Sequence, residues 1–160
     1  MIKTYIALGA NLGEPLRAFQ NALARINAHP QCTVSALSSL YRSEAFEAEG
    51  PDYINAVAQV MTSLSAPELL ALTQDIECSA GRLRQYHHQP RTLDLDLLFY
   101  GSAVIQSSNL TLPHPRWRER AFVLLPLQEV SEGWVHPSDV DAVKDQAIEK
   151  VGPWDWTVPL

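Results

Sequence analysis

This chain is poor in the features that mark a special environment. Its two cysteines, Cys32 and Cys78, lie far apart without metal-ligand spacing, which excludes a disulfide scaffold or a zinc finger. Both read as buried, reduced thiols. No apolar run reaches the roughly 18 residues that a membrane helix needs. The opening Met-Ile-Lys-Thr-Tyr-Ile-Ala-Leu-Gly is too short and too strand-like for a secretory signal, so a cytoplasmic location is expected. A positive charge excess is also missing. Twelve lysines and arginines face 18 acidic residues, a net charge of −6, which excludes a general nucleic-acid binder. There are no repeats, no low-complexity tracts and no linker. At 160 residues, 46% apolar and 19% charged, the chain is expected to form one domain over 1–160 with a real core. Finally, there is no Walker lysine motif, and the Gly9–Gly13 turn lacks the dinucleotide fingerprint. A nucleotide site would have to be built another way.

The charge that is present is unevenly spread. Residues 82–120 hold six arginines against Asp94, Asp96 and Glu119, a net of +3, which leaves −9 for the remainder. An acidic protein with an arginine-rich middle around two aspartates suits a small polyanion. A solvated surface with chance clustering is the plain alternative.

Periodicity organises the rest. Ile2–Leu8 alternates as a first strand, and Pro15 suits the start of a helix over 15–28, with Leu16, Phe19, Leu23 and Ile26 at helical spacing. Residues 33–42 read as a second strand, Ser43–Asp52 as a mobile loop, and Tyr53–Ser63 as a long strand. Ser65 and Glu68 form a capping box that opens a helix, and Gly81 is placed to end it. A polar, arginine-bearing loop over 82–91 precedes a strand reaching about Tyr100. Val104-Ile105 and Leu110–Leu112 look like short edge strands, and Trp117–Leu125 like a short helix stopped by Pro126. A helix near 139–150 and a docked C-terminus with Trp154 and Trp156 complete the chain. The order predicts an α+β fold: a ferredoxin-like βαββαβ core, a mostly antiparallel sheet with helices on one face, and a C-terminal extension. A parallel doubly wound sheet is the weaker option.

The run Pro90-Arg91-Thr92-Leu93-Asp94-Leu95-Asp96-Leu97-Leu98 carries the chemistry. On a strand, side chains two apart share a face, so Asp94 and Asp96 project together while Leu93, Leu95 and Leu97 point into a core. Two carboxylates so placed suit a hard cation and the phosphates it carries. An edge strand with both acids facing water is the alternative, though Leu93–Phe99 is too apolar to favour it. Arg82, Arg84 and Arg91 flank the strand, and a guanidinium offers phosphate a fixed fork of donors. His114, held between Pro113 and Pro115, is either structural or part of this site. His87 and His88 are adjacent and cannot share one local face, which speaks against a metal role for the pair. Asn55, an amide in mid-strand with Tyr53 on its face, needs partners: the amide-like edge of a ligand, or a backbone contact.

Six segments together carry a resemblance. They are Tyr5–Leu12, Pro51–Ala56, Gly81–Arg84, Pro90–Asp96, Leu112–Pro115 and Arg120–Leu127. In this order they resemble the 6-hydroxymethyl-7,8-dihydropterin pyrophosphokinases of folate biosynthesis. The resemblance implies transfer of pyrophosphate from ATP to the pterin hydroxymethyl group, with release of AMP. It implies two Mg²⁺ ions on Asp94 and Asp96, and charge balance on the phosphates by Arg82 and Arg91. It assigns Gln74, Glu77, Arg84, Leu97, Thr111, His114 and Arg120 to ATP. To the pterin it assigns Ser43, Phe46, Tyr53, Asn55 and Phe122. A monomer with small-molecule substrates, without nucleic acid or membrane, is expected. The chain departs from the family's usual residues at His88, Gln89, Asn109 and Pro115 and in Ser43-Glu44-Ala45-Phe46, which predicts altered loop closure and nucleotide grip. Two other readings share parts of the pattern: another Mg²⁺-dependent phosphoryl- or nucleotidyl-transfer enzyme, and a non-catalytic ferredoxin-like ligand-binding module.

Overall fold

Alternating and helical apolar spacing assemble here into one antiparallel sheet with helices on it. The computed structural model describes residues 1–44, 51–81 and 93–160. Strand β1 (Ile2–Ala10) leads to helix α1 (Pro15–Ala28), then to β2 (Cys32–Leu37), β3 (Leu40–Ser43) and β4 (Tyr53–Thr62). Helix α2 (Ala66–Ser79) is followed by β5 (Asp94–Tyr100), and two-residue strands β6 (Ile105–Gln106) and β7 (Thr111–Leu112) come next. A 3-10 turn at Trp117–Glu119 enters helix α3 (Ala121–Val130). A short helix α4 (Pro137–Ala142) and strand β8 (Ile148–Gly152) follow. The sheet order is β5-β1-β4-β3-β8, with β2 also on β4, and every pairing is antiparallel. This is the ferredoxin-like α+β arrangement, with β1 and β4 central.

Local signals explain most element ends. Pro15 opens α1, whose buried side is Phe19, Ala22, Leu23 and Ile26. At α2, Glu68 N–H donates to Ser65 Oγ at 3.2 Å and Ser65 N–H to Glu68 Oε1 at 2.8 Å, the reciprocal box read from the sequence. Gly81, at φ +86°, takes the left-handed turn after it.

Several expectations are corrected. The strand expected over 33–42 breaks at Ser38-Ser39, where side chains take over part of the ladder: Ser38 N–H still donates to the Val57 carbonyl at 3.0 Å, but Val57 N–H donates to Ser38 Oγ at 2.9 Å and Ser39 N–H to Glu129 Oε1 at 2.9 Å. Strands β6 and β7 pair with each other, not with the main sheet. Helix α3 runs through Pro126, because Val123, Leu124 and Leu127 bury their side chains on both sides of it, and this burial offsets the missing hydrogen bond. The helix expected near 139–150 is α4 and then a strand, since Ile148–Gly152 completes the sheet beside β3. Trp154 and Trp156 do dock, with Gln20 Nε2 donating to the carbonyls of Trp156 and Val158 at 3.2 and 2.7 Å. Cys32 is buried as expected, but Cys78 is exposed.

Helices also cover both faces, not one. On the first face, α1 and α2 pack on Ile6, Leu8, Ala58, Val60, Leu95 and Leu97. On the second, α3 packs on Tyr5, Ala7, Val57 and Phe99, with Trp117 edge-on to Phe99 at 5.1 Å and Trp134 stacked on it at 4.1 Å. A hydrogen-bond clasp ties α3 to β3, as Tyr41 donates its hydroxyl to Glu129. Burial and the neighbouring carboxylate raise the Tyr41 pKa, keeping it a donor.

Candidate active site

The second face is covered only in part, and the polar residues of interest stand where the cover stops. On β5, Asp94 and Asp96 are half-buried, while Leu93, Leu95 and Leu97 are 0, 4 and 5% exposed and belong to the α1/α2 core. The alternation expected from the sequence holds. A β-bulge then interrupts the pairing: Tyr5 faces Phe99 but Ile6 faces Leu97, so Leu98 is extra. Both Leu98 and Phe99 therefore turn into the α3 side.

Among the described residues, strand β5 lies at the border of the sheet with no strand on its outer side. Two outside groups take its place. Leu95 N–H, between the two aspartates, donates to Glu77 Oε2 at 2.8 Å, and His114 N–H donates to the Leu98 carbonyl at 2.9 Å. Glu77 is only 5% exposed, so this carboxylate is a buried strut from α2 to the aspartate strand. Its assignment to ATP came from resemblance alone; its position shows a supporting contact.

The His114 contact brings its ring beside Asp96. Arg116 N–H donates to His114 Nδ1 at 3.1 Å, which leaves the proton of the neutral ring on Nε2. Burial lowers the His114 pKa, Asp96 opposes that, and the arginines 120 and 116 lower it further. Arg120 completes the group. Burial lowers its pKa too, while Asp96 and Asp94 oppose the loss of charge, and its guanidinium lies 5.4 Å over the Phe122 ring.

An open cleft of about 310 Å³ begins at Asp96 and Leu97 and runs past His114 and Thr111 to Leu70. Gln74 is exposed on α2, one turn beyond Leu70 and so on the same side of that helix. Asn109 and Pro115, two of the departures noted above, line this cleft, and Asn109 Oδ1 accepts from Ser107 Oγ at 3.1 Å within its own turn.

Across the sheet lies a second polar group. Asn55 is 3% exposed and its Nδ2 donates to Ser43 Oγ at 2.7 Å. Asn11 Nδ2 donates to the Pro51 carbonyl at 3.1 Å, fastening the turn after β1 to the approach to β4. Register connects the two groups: Asp94 pairs with Gly9, and Gly9 with Asn55. In the next row, Asp96 pairs with Ala7 and Ala7 with Val57.

Residues 5–132 match the family model described as 7,8-dihydro-6-hydroxymethylpterin-pyrophosphokinase (HPPK). The chain belongs to the HPPK family. It is 43% identical over 146 residues to a 2-amino-4-hydroxy-6-hydroxymethyldihydropteridine pyrophosphokinase of Synechocystis, covering 91% of this chain and 74% of that protein. A protein of the same name in Haemophilus influenzae is 42% identical over 155 residues, covering 94% of this chain and 97% of the relative. In fold, the chain is similar to a crystal structure of an HPPK-DHPS in complex with substrates, with TM-score 0.64 and 10% identity. The alignment covers 89% of this chain but 43% of that longer one.

Most of the described residues singled out by the HPPK resemblance fall into two groups along the α3 face, while Leu97 belongs to the α1/α2 side and Gln74 and Glu77 stand on α2. Asp94, Asp96, His114, Arg120 and Phe122 gather at one side, with Leu97 and Thr111 in the adjoining cleft. Ser43, Tyr53 and Asn55 gather at the other. Phe46, Arg82, Arg84 and Arg91 lie outside the described residues, as do His88 and Gln89. Leu70 was missed, although its spacing of four from Gln74 was a usable signal. Gly9 was missed as well. Only strand register could reveal that it stands between the two groups.

The donor chemistry fits a hard cation. Asp94 and Asp96 offer carboxylate oxygens, and among the described residues no group of three or more His, Cys, Asp or Glu side chains could complete a metal cage. A cation held by two carboxylates keeps positions for water and phosphate oxygens, the habit of Mg²⁺ in phosphoryl-transfer sites.

Proposed function

We propose that this chain transfers pyrophosphate from ATP to the hydroxymethyl group of 6-hydroxymethyl-7,8-dihydropterin, giving AMP and the pterin diphosphate for folate biosynthesis. The observation that carries this reading is the register that sets Asp94 across one strand from Asn55, with Asp96 one row along on the same face. A single open face then offers carboxylates for a metal-bound phosphate chain and an amide for the edge of a heterocycle. Membership of the HPPK family supports the same reaction.

Asp94 and Asp96 would hold Mg²⁺, two ions by family resemblance, and the metal would supply charge neutralisation to the phosphates. Arg120 is close enough for both aspartates to favour its charged form and adds positive charge on the nucleotide side. His114 lines the cleft beside Asp96, its Nδ1 accepting from Arg116 N–H. Glu77 holds the Leu95 amide, and with it the spacing of the aspartates. Leu97, Thr111, Gln74 and Leu70 border the space for the nucleotide. Arg82, Arg91 and Arg84 are assigned to the phosphates by resemblance, with Arg82 and Arg91 balancing charge as the α–β bond breaks. On the pterin side, Asn55 and Ser43 read the ring's polar edge while Tyr53, Phe122 and Phe46 supply aromatic surface. The reaction asks little proton chemistry of the protein, so positioning and electrostatics dominate.

The protein acts as a monomeric cytoplasmic enzyme with one domain over 1–160, and no helix among the described residues is long and apolar enough to cross a membrane. The deciding experiment supplies ATP, Mg²⁺ and hydroxymethyl-dihydropterin and follows the nucleotide product. AMP formed in step with pterin consumption is expected. No AMP at saturating substrates defeats the reading, and ADP in its place favours a simple phosphoryl transfer.

A further inference from the structure

Gly9 occupies an unusual place for a glycine. It sits in a central strand with partners on both sides, where a glycine forgoes packing and costs about 0.5–1 kcal/mol relative to alanine. Backbone geometry does not demand it, for Gly9 is not among the glycines with positive φ. Crowding does not demand it either. A methyl group at Gly9 would sit 3.5 Å from Asn55 Oδ1 and 3.9 Å from the Tyr53 ring, both ordinary contact distances. The fold of the described residues could accept alanine here. Unlike Thr4–Leu8 before it and Ala10 after it, Gly9 remains partly exposed.

Its row explains what the missing side chain leaves open. Asp94 and Asn55 flank Gly9, two strand spacings or about 10 Å apart. In the neighbouring row, Ala7 carries a methyl group between Asp96 and Val57 and is covered by the α3 cluster. The sheet accepts a side chain where the row is roofed and omits it where the row is open.

We propose that Gly9 is a specificity-determining residue, the bare strip of sheet over which the substrate's hydroxymethyl arm passes from the Asn55 side to the aspartate pair. This deepens the pyrophosphokinase reading and rests on it. A ring bound at Asn55 with its alcohol at Asp94 and Asp96 must cross this row, and a methyl group there would lift it away. The nucleotide, which lies beyond Asp96 toward Leu70, does not cross it.

The test compares the full chain with Gly9→Ala in three measurements. These are the KM for hydroxymethyl-dihydropterin at saturating MgATP, the Kd of a non-hydrolysable MgATP analogue, and the thermal midpoint. One misplaced methyl in a fitted pocket predicts a rise in the pterin KM of roughly 10- to 200-fold. Nucleotide Kd should stay within about twofold, and the midpoint should hold or rise. An unchanged pterin KM overturns the inference while leaving the reaction standing. A loss of nucleotide binding together with a fallen midpoint also overturns it, because Gly9 then serves the strand itself. If the unaltered chain forms no AMP, the reading beneath it falls first.

Discussion

The two faces of the sheet are made differently. The α1/α2 face is built mainly of apolar side chains, with Phe19, Leu23, Ile26 and Leu69 fully buried in its core and Glu77 the buried charge among them. The α3 face is roofed over Tyr5, Ala7, Val57 and Phe99 and then turns polar at Gly9, Asn55 and Asp94. The first face serves mostly stability, meeting the cleft only at Leu70 and Leu97, and the other divides its length between stability and binding. A strand such as β5 can serve both, because its side chains alternate: leucines to one side, aspartates to the other.

Substitutions on the two faces should therefore separate activity from stability. The largest effect is expected from Asp96→Ala, which should lower turnover by at least about 10³-fold. Its thermal midpoint should stay near that of the unaltered protein, since Asp96 lies off the packed core. Activity surviving this change would break the comparison, and steady-state kinetics beside a melting curve decides it. Leu69→Ala, on the closed face, should do the reverse. Removing a fully buried leucine costs about 2–5 kcal/mol, measured by chemical denaturation, while kcat per folded molecule stays the same.

Glu77 crosses between the two regimes, so it should show both effects in smaller measure. Glu77→Leu leaves the Leu95 N–H without its acceptor, a loss of about 1–3 kcal/mol. The same change should weaken binding of a MgATP analogue, measured by calorimetry, through a displaced aspartate pair. Glu77→Gln keeps an acceptor oxygen and should restore most of both. Equal damage from Gln and Leu would mean that the charge, not the strut, matters.

The smallest effect belongs to the roofed end of the α3 face. Tyr41→Phe removes one hydroxyl from the Glu129 clasp and should cost about 1 kcal/mol at pH 7, with no change in kinetics. Burial raises the Glu129 pKa, but hydrogen bonds from Tyr41 and Ser39 and the charge of Lys150 outweigh it, so the net shift is downward. A carboxylate with a depressed folded pKa stabilises above its unfolded value and loses that contribution as pH falls through the folded one. The difference between Tyr41→Phe and the unaltered protein should therefore shrink as pH drops below the ordinary glutamate range. Denaturation at a series of pH values would show it.

What the sequence made legible follows from how local each signal is. The Asp94/Asp96 pair could be read directly, since two-residue alternation is a property of the strand alone. The Ser65/Glu68 box and the helix at Pro15 are equally local. The course of α3 was misread because Pro126 is a strong local stop, and only the buried Val123, Leu124 and Leu127 on both sides of it explain why the helix continues. The split at Ser38-Ser39 depends on Glu129, some 90 positions away, and so has no local sign. Of the site, the aspartates, His114, Asn55 and Tyr53 stood out by residue type and pattern. Gly9 and Leu70 did not, because their importance comes from what register and packing put beside them.

The border position of β5 has a consequence for how this protein behaves in a crowd. A strand with one free flank invites a strand from another molecule, and this one is apolar enough over Leu95–Phe99 to be a hazardous template. Glu77 and His114 already hold the Leu95 amide and the Leu98 carbonyl from outside. An incoming strand would have to displace a buried carboxylate and a backbone hydrogen bond before it could pair. The contacts that steady the aspartates thus also keep one molecule from growing onto the next.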